Sequence, residues 1–214
     1  MVSSLKHLAL LSLSCLVECA SLPRIVKSTS DTGVSLSFKE THICEMTPGV
    51  RSYSGYVNLP ANASAGRLYD IHTFFWYFEA RKDPANAPLS LWLQGGPGSP
   101  STPAIFGETG PCFVTSDSKG TRLNPWSWNN EVNMLYMDQP VQTGFSYDTL
   151  INGTVDETIL PYVVRPLSPL VPAPELNSTT LLGVFPSQNP MSTANTTATA
   201  ALAAWQFMQI WMKE

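Results

Sequence analysis

Two short apolar runs, each breaking at once into a glycine- or proline-bearing loop, constrain this chain most. Leu89-Ser-Leu-Trp-Leu93 ends in Gln94-Gly-Gly-Pro-Gly98, and Val132-Asn-Met-Leu-Tyr-Met137 ends in Asp138-Gln-Pro140. Runs this brief and this apolar read as buried central strands, covered on both faces, of an α/β sheet. In open α/β sheets the loops leaving the carboxyl ends of such strands build the site. Those two loops are where chemistry is expected.

Upstream, Ser52-Tyr-Ser-Gly-Tyr-Val57 alternates polar and apolar residues and predicts a strand closed by Pro60. Residues 68–78 are aromatic and β-branched, predicting a long strand antiparallel to it across a hairpin connection at 60–66. Asp83-Pro-Ala-Asn-Ala-Pro88 breaks that strand. Residues 21–47 are polar and irregular and read as a pro-segment or an ordered arm. Residues 151–192 are rich in Pro, Thr, Leu and Asn with little periodicity, and read as a long loop: an insertion over a binding face or a mobile connection. Residues 196–214 turn helical, with Asn195 as cap and Leu202, Trp205, Met208, Gln209 and Met212 as one stripe.

Of the 214 residues 43% are hydrophobic and 13% charged, enough apolar content for a core. The formal net charge is −4 with no basic run, which argues against nucleic acid and anionic membranes as partners. Residues 1–20 read as a secretory signal: Lys6 and His7, then an apolar run from Leu8 to Val17, then small residues at a plausible cleavage site. That run is too short to span a membrane. Asn62, Asn152, Asn177 and Asn195 each head an Asn-x-Ser/Thr sequon, which fits a glycosylated protein of the secretory pathway, secreted or vacuolar/lysosomal. Of the four cysteines, Cys15 and Cys19 fall in the signal. Cys44 and Cys112 remain, to pair with each other or with cysteines outside this sequence.

Six motifs occur in one order: Ser52-Tyr-Ser-Gly-Tyr56, Trp92-Leu-Gln-Gly-Gly-Pro-Gly-Ser99, Phe106-Gly-Glu-Thr-Gly-Pro-Cys112, Asn124-Pro-Trp-Ser-Trp-Asn129, Asp138-Gln-Pro-Val-Gln-Thr-Gly-Phe-Ser-Tyr147 and Trp205-Gln-Phe-Met-Gln-Ile-Trp211. Together they closely resemble the N-terminal part of serine carboxypeptidases, which are α/β-hydrolases, from about Cys44 onward. The resemblance implies an incomplete α/β-hydrolase fold over 48–214 and the release of C-terminal residues from peptides through an acyl-enzyme, best at acid pH. It implies that the Gly96 N–H is an oxyanion-hole donor, glycine letting the backbone approach the substrate. It implies that Gln94, with the Gly95 N–H, binds the substrate carboxylate, and that Glu108 joins that carboxylate site by sharing a proton with an acid beside the nucleophile, which suits recognition at acid pH. Gln94 stands where the family usually has Asn. Ser99 stands where many relatives have a disulfide-forming Cys, so that bridge is expected to be missing.

The same resemblance places the nucleophile, in a Glu-Ser-Tyr-Gly type motif, after the Trp-rich helix, with the Asp and His of the triad later still. No Gly-x-Ser-x-Gly occurs in these 214 residues. Ser146, in Gly144-Phe-Ser-Tyr-Asp148, belongs to the loop pattern and reads as structural; His42 and His72 read as structural or solvated. The chain alone is therefore expected to be inactive, and poorly soluble where apolar strand edges lack partners. No metal spacing, phosphate loop or cofactor is implied. Peptide C-termini are the implied substrate, and oligomeric state is left open. Two other readings stand: a secreted protein that binds peptide C-termini without catalysis, and part of a family acyltransferase acting on small-molecule esters.

Overall fold

The computed structural model describes residues 22–213 apart from 30, 63, 65, 97, 160–161, 169–174 and 176. The expected signal, residues 1–20, lies outside the described residues, as does Pro97. A six-stranded mixed sheet carries the fold. Its strands are β1 (Arg24–Lys27), β2 (Ser35–Thr41), β3 (Ser52–Leu59), β4 (Ile71–Phe78), β5 (Leu89–Trp92) and β8 (Asn133–Met137), in the order β1-β2-β3-β4-β8-β5. Every neighbouring pair is antiparallel except β5 and β8, which run parallel with Leu91 opposite Leu135. The expected β3–β4 hairpin is present, with Tyr56 opposite Phe74, and a backbone bridge between Asn62 and Arg67 narrows its connection.

Side-chain alternation explains how one sheet carries two cores. On β8, Leu135 and Met137 point to one face, Met134 and Tyr136 to the other, and all five residues are buried. A strand buried on both faces reads as a continuous apolar run, which is what residues 132–137 present. On the first face the helix α2 (Thr197–Trp211) lays Phe207 and Ile210 against Leu36, Val57, Ile71 and Phe75. On the second face Trp76, Phe78 and Tyr136 pack with Ile105, from the one-turn helix α1 (Thr102–Ile105), around a Cys44–Cys112 disulfide. The two cysteines left open by the sequence are thus each other's partners.

Four sequence expectations need correction. The 21–47 segment is not irregular throughout: β1 and β2 extend the main sheet there, because Leu36 and Phe38 alternate toward the helix-covered face. Leu89-Ser-Leu-Trp-Leu93 is not central among the described residues. Its first four residues form the edge strand β5, and Leu89 and the following Leu93 are exposed. The 151–192 segment is not without regular structure, for β9 (Leu150–Asp156), β10 (Val164–Pro166) and β11 (Thr180–Pro186) form an antiparallel sheet with β9 in the middle. A small two-stranded ribbon, β6 (Cys112–Val114) with β7 (Thr121–Leu123), completes the described strands.

The fourth correction concerns α2. Its N-cap is Thr196, whose hydroxyl accepts from the Thr199 N–H, rather than Asn195. Its inward face is Ala200, Ala203, Phe207, Ile210 and Trp211. Leu202, Trp205, Gln209 and Met212, expected on the apolar stripe, are exposed. No described helix is long and apolar enough to cross a membrane.

Candidate functional site

The two loops singled out by the sequence meet at the carboxyl ends of β5 and β8, which the parallel pairing brings side by side. Their junction is Asp138, 1% exposed. Its Oδ1 accepts from the N–H groups of Ser101 (2.6 Å) and Thr102 (3.1 Å). Its Oδ2 accepts from the Thr102 hydroxyl (3.0 Å) and the Phe145 N–H (3.0 Å). A carboxylate can stay buried when this many donors converge on it.

Ser101 extends the junction. Its hydroxyl donates to the Met137 carbonyl (2.6 Å) and accepts from the Gln94 N–H (3.0 Å), so the start of the glycine loop hangs on the end of β8. Gly144 must be glycine: its φ is +57°, and a Cβ there would overlap Asp138 Oδ2. Ser146, buried completely, donates to the Asp138 carbonyl (2.7 Å) and accepts from the Phe74 N–H (2.8 Å), a structural role.

Within the glycine loop, Gly95 and Gly96 are exposed and joined by a cis peptide bond. Nothing lies within 4 Å of where a Cβ would stand at either position. Neither N–H donates to another described residue. Two backbone donors open to a ligand thus sit at the mouth of the sheet. Gln94 is not loose beside them. Its Oε1 accepts from the Trp92 indole N–H (2.9 Å), which leaves the two Nε2 hydrogens as donors. Trp92 in turn packs edge-on against Trp128, ring centroids 5.4 Å apart.

Glu108 is exposed, in the turn after α1, and its carboxylate makes no hydrogen bond or ion pair among the described residues. The second acid expected to pair with it stands beside the nucleophile, which the resemblance places outside this sequence. That turn is fixed from below. A Cβ at Gly110 would overlap the Ile105 carbonyl, and the Thr109 carbonyl accepts from the Trp128 N–H (3.0 Å) and the Ser127 hydroxyl (3.1 Å).

The Asn124–Asn129 motif ties this turn to the sheet. Asn124 Nδ2 donates to the Gly110 carbonyl (2.9 Å), and Asn129 Nδ2 donates to Glu45 Oε2 (2.7 Å). Arg81 holds the same group together, pairing with Glu45 (3.0 Å) and donating to the Pro111 carbonyl (3.0 Å). Burial pushes the Glu45 carboxyl up, but hydrogen bonds from Thr47 and Asn129 and the Arg81 charge outweigh it and hold the group below its ordinary range.

The structure therefore brings Gln94, Gly95 and Gly96 together in one loop and leaves Glu108 on the adjoining turn. The sequon residues Asn62, Asn152, Asn177 and Asn195 are all exposed and lie away from that loop in sequence. Sequence reasoning assigns no role to Asp138 or Ser101. The only signal is an acid placed directly after a buried strand. Three of the four bonds to its carboxylate come from Ser101 and Thr102, 36 or 37 positions away in the chain. His72 stacks on Tyr147 (4.4 Å) and bonds Asn58 (2.7 Å), neither of them in the glycine loop.

A mixed sheet with few helices and a polar-anchored loop at the end of a parallel strand pair is of α/β-hydrolase type. A family model described as serine carboxypeptidase matches residues 43–214, and the chain belongs to that family. It is 52% identical over 194 residues to "Carboxypeptidase S1 homolog B" of Arthroderma otae, covering 89% of this chain and 29% of that protein. It is 53% identical over 196 residues to "Carboxypeptidase S1 homolog A" of Trichophyton rubrum, with the same two coverages of 89% and 29%. Among solved structures it is similar to the prohormone-processing carboxypeptidase Kex1(delta)p of Saccharomyces cerevisiae. That likeness has 32% identity and a TM-score of 0.39, and covers 49% of this chain and 22% of the other. The chain thus spans about three tenths of the length of the curated relatives it matches.

Proposed function

We propose that this chain supplies the oxyanion-stabilising and carboxylate-binding loop of a secretory-pathway serine carboxypeptidase, acting on the C-termini of peptides. The observation that carries the reading is the exposed Gly95–Gly96 backbone at the mouth of β5, with donors that no described residue uses. In acyl transfer the carbonyl oxygen gains charge as the tetrahedral intermediate forms, and fixed N–H groups stabilise it because they need no reorganisation. The Gly96 N–H takes that role. A second donor comes from the residue following the nucleophile, outside this sequence.

Exopeptidase specificity requires a group that holds a free terminal carboxylate. Gln94 suits it, because the Trp92 indole occupies its oxygen and leaves its Nε2 hydrogens as donors. Glu108 on the neighbouring turn is assigned to the same carboxylate site. The disulfide and the four exposed sequon asparagines fit folding in an oxidising, glycosylating compartment.

The test is a chimera joining this chain to the remaining C-terminal portion of the Arthroderma otae relative. It is expected to release the last residue from an N-blocked dipeptide but not from its C-terminal amide. Gln94→Leu should raise KM for the free acid more than it lowers kcat. A folded chimera that cleaves small-molecule esters while ignoring both peptides would overturn the reading in favour of the acyltransferase.

A further inference from the structure

Away from the glycine loop, Arg67 is a buried cation on which the Asp70 charge acts without closing an ion pair. It is 8% exposed, and among the described residues it forms no ion pair. Its Nη1 donates to Gln206 Oε1 (3.2 Å) and its Nη2 to the Pro60 carbonyl (2.5 Å), while Nε is buried with no hydrogen-bond partner. The nearest acid in sequence, Asp70, accepts instead from the Ala61 N–H (2.7 Å). The guanidinium's two hydrogen bonds thus both go to neutral oxygens and Asp70 makes no contact pair with it, whereas buried charges are ordinarily paired directly.

Arg67 and Gln206 form a wall shared by two cavities. The one of about 380 Å³ is lined largely by apolar groups such as Ile71, Val141 and Ala203. The one of about 540 Å³ has a mixed lining: Lys213, Gln209, Asn62 and the carboxylate-bearing Asp31 accompany Arg67 on one part, and apolar groups such as Leu59 and Ile210 make up the rest. It lies between the β3–β4 connection and the last turns of α2.

We propose that this larger cavity is a binding site for a small oxyanion, a carboxylate or phosphate group held by Arg67. Of the guanidinium's five N–H donors two are engaged and Nε–H is buried, which leaves the second hydrogens of Nη1 and Nη2 to give an oxyanion charge-assisted bonds without displacing those to Pro60 and Gln206. The site is independent of the proposed peptidase function.

The test follows thermal unfolding of the whole chain, with its disulfide formed, in inorganic phosphate or acetate against chloride at matched ionic strength. Phosphate or acetate is expected to raise Tm in a saturable way. Arg67→Gln should raise the half-saturating anion concentration by about tenfold or more. Because Arg67→Gln removes two structural bonds, the exposed Gln209→Glu serves as the second variant. It places a resident carboxylate in the cavity, and should stabilise the chain while removing its response to both anions. No anion-specific rise in Tm, or an equal rise in Gln209→Glu, would overturn the proposal.

Discussion

The Ser101 N–H donates to Asp138 Oδ1 at 2.6 Å, so the segment following the glycine loop is anchored to the end of the neighbouring parallel strand. Four donors converge on this one carboxylate, two on each oxygen. Asp138→Asn keeps the shape but puts an NH2 against donors that then lack an acceptor. The expected cost is about 2–3 kcal/mol, read as a lower urea midpoint. In the chimera the same change should lower kcat by loosening the Gly96 loop. An unchanged midpoint would remove Asp138 as the anchor.

The Cys44–Cys112 bridge spans 68 residues of sequence and ties the segment before β3 to the start of β6. A loop of that length loses much freedom in the unfolded chain. Replacing both cysteines by Ala should therefore destabilise the protein by about 4 kcal/mol on the chain-entropy estimate. Paired urea titrations of the parent and the double variant measure it. A difference under about 1 kcal/mol would mean that the unfolded chain is already restricted there.

Stability is expected to fall in two stages as pH drops. Burial holds the His72 imidazole below its ordinary pKa, so the unfolded chain takes up a proton before the folded one does. Its contribution is complete above the unfolded His value of about 6.5 and shrinks as pH falls through the folded value. Glu45 and Asp148 are likewise held low: burial opposes this in both, and hydrogen bonds from Thr47 and Asn129, or from Ser187, outweigh it. Their contributions are complete above the unfolded carboxylate range of about 4 and are lost as pH falls through the folded values. Urea midpoints against pH should show both stages. His72→Gln should flatten the upper one and Glu45→Gln the lower; a profile unchanged by either variant would contradict the assignment.

What is legible in the sequence follows from how each element is buried. β3, β4 and β8 are readable because alternation or continuous apolarity survives when a strand contacts a core on one or both faces. The β9–β10–β11 sheet is not: Leu181, Leu182 and Val184 are exposed, and the buried residues of β9 are the adjacent Gly153 and Thr154, so no apolar period of two appears. The motif residues Gln94, Gly95 and Gly96 stand out because their neighbours are local. Asp138 and Arg67 do not, since each is defined by partners distant in the chain.

The helix α2 offers the sharpest test of the same idea. It is apolar on several sides, so spacing alone supports more than one inward face, and the sheet decides which is buried. Phe207 is fully buried and meets Phe75 edge-on at 6.0 Å, while Leu202 is 43% exposed. Phe207→Ala should cost about 3–5 kcal/mol, the scale of an emptied aromatic site in a core. Leu202→Ser should stay within about 0.5 kcal/mol plus its small difference in helix propensity. Urea unfolding of the two variants separates the faces, and the opposite ranking would place the Leu202, Trp205 and Met212 stripe against the sheet after all.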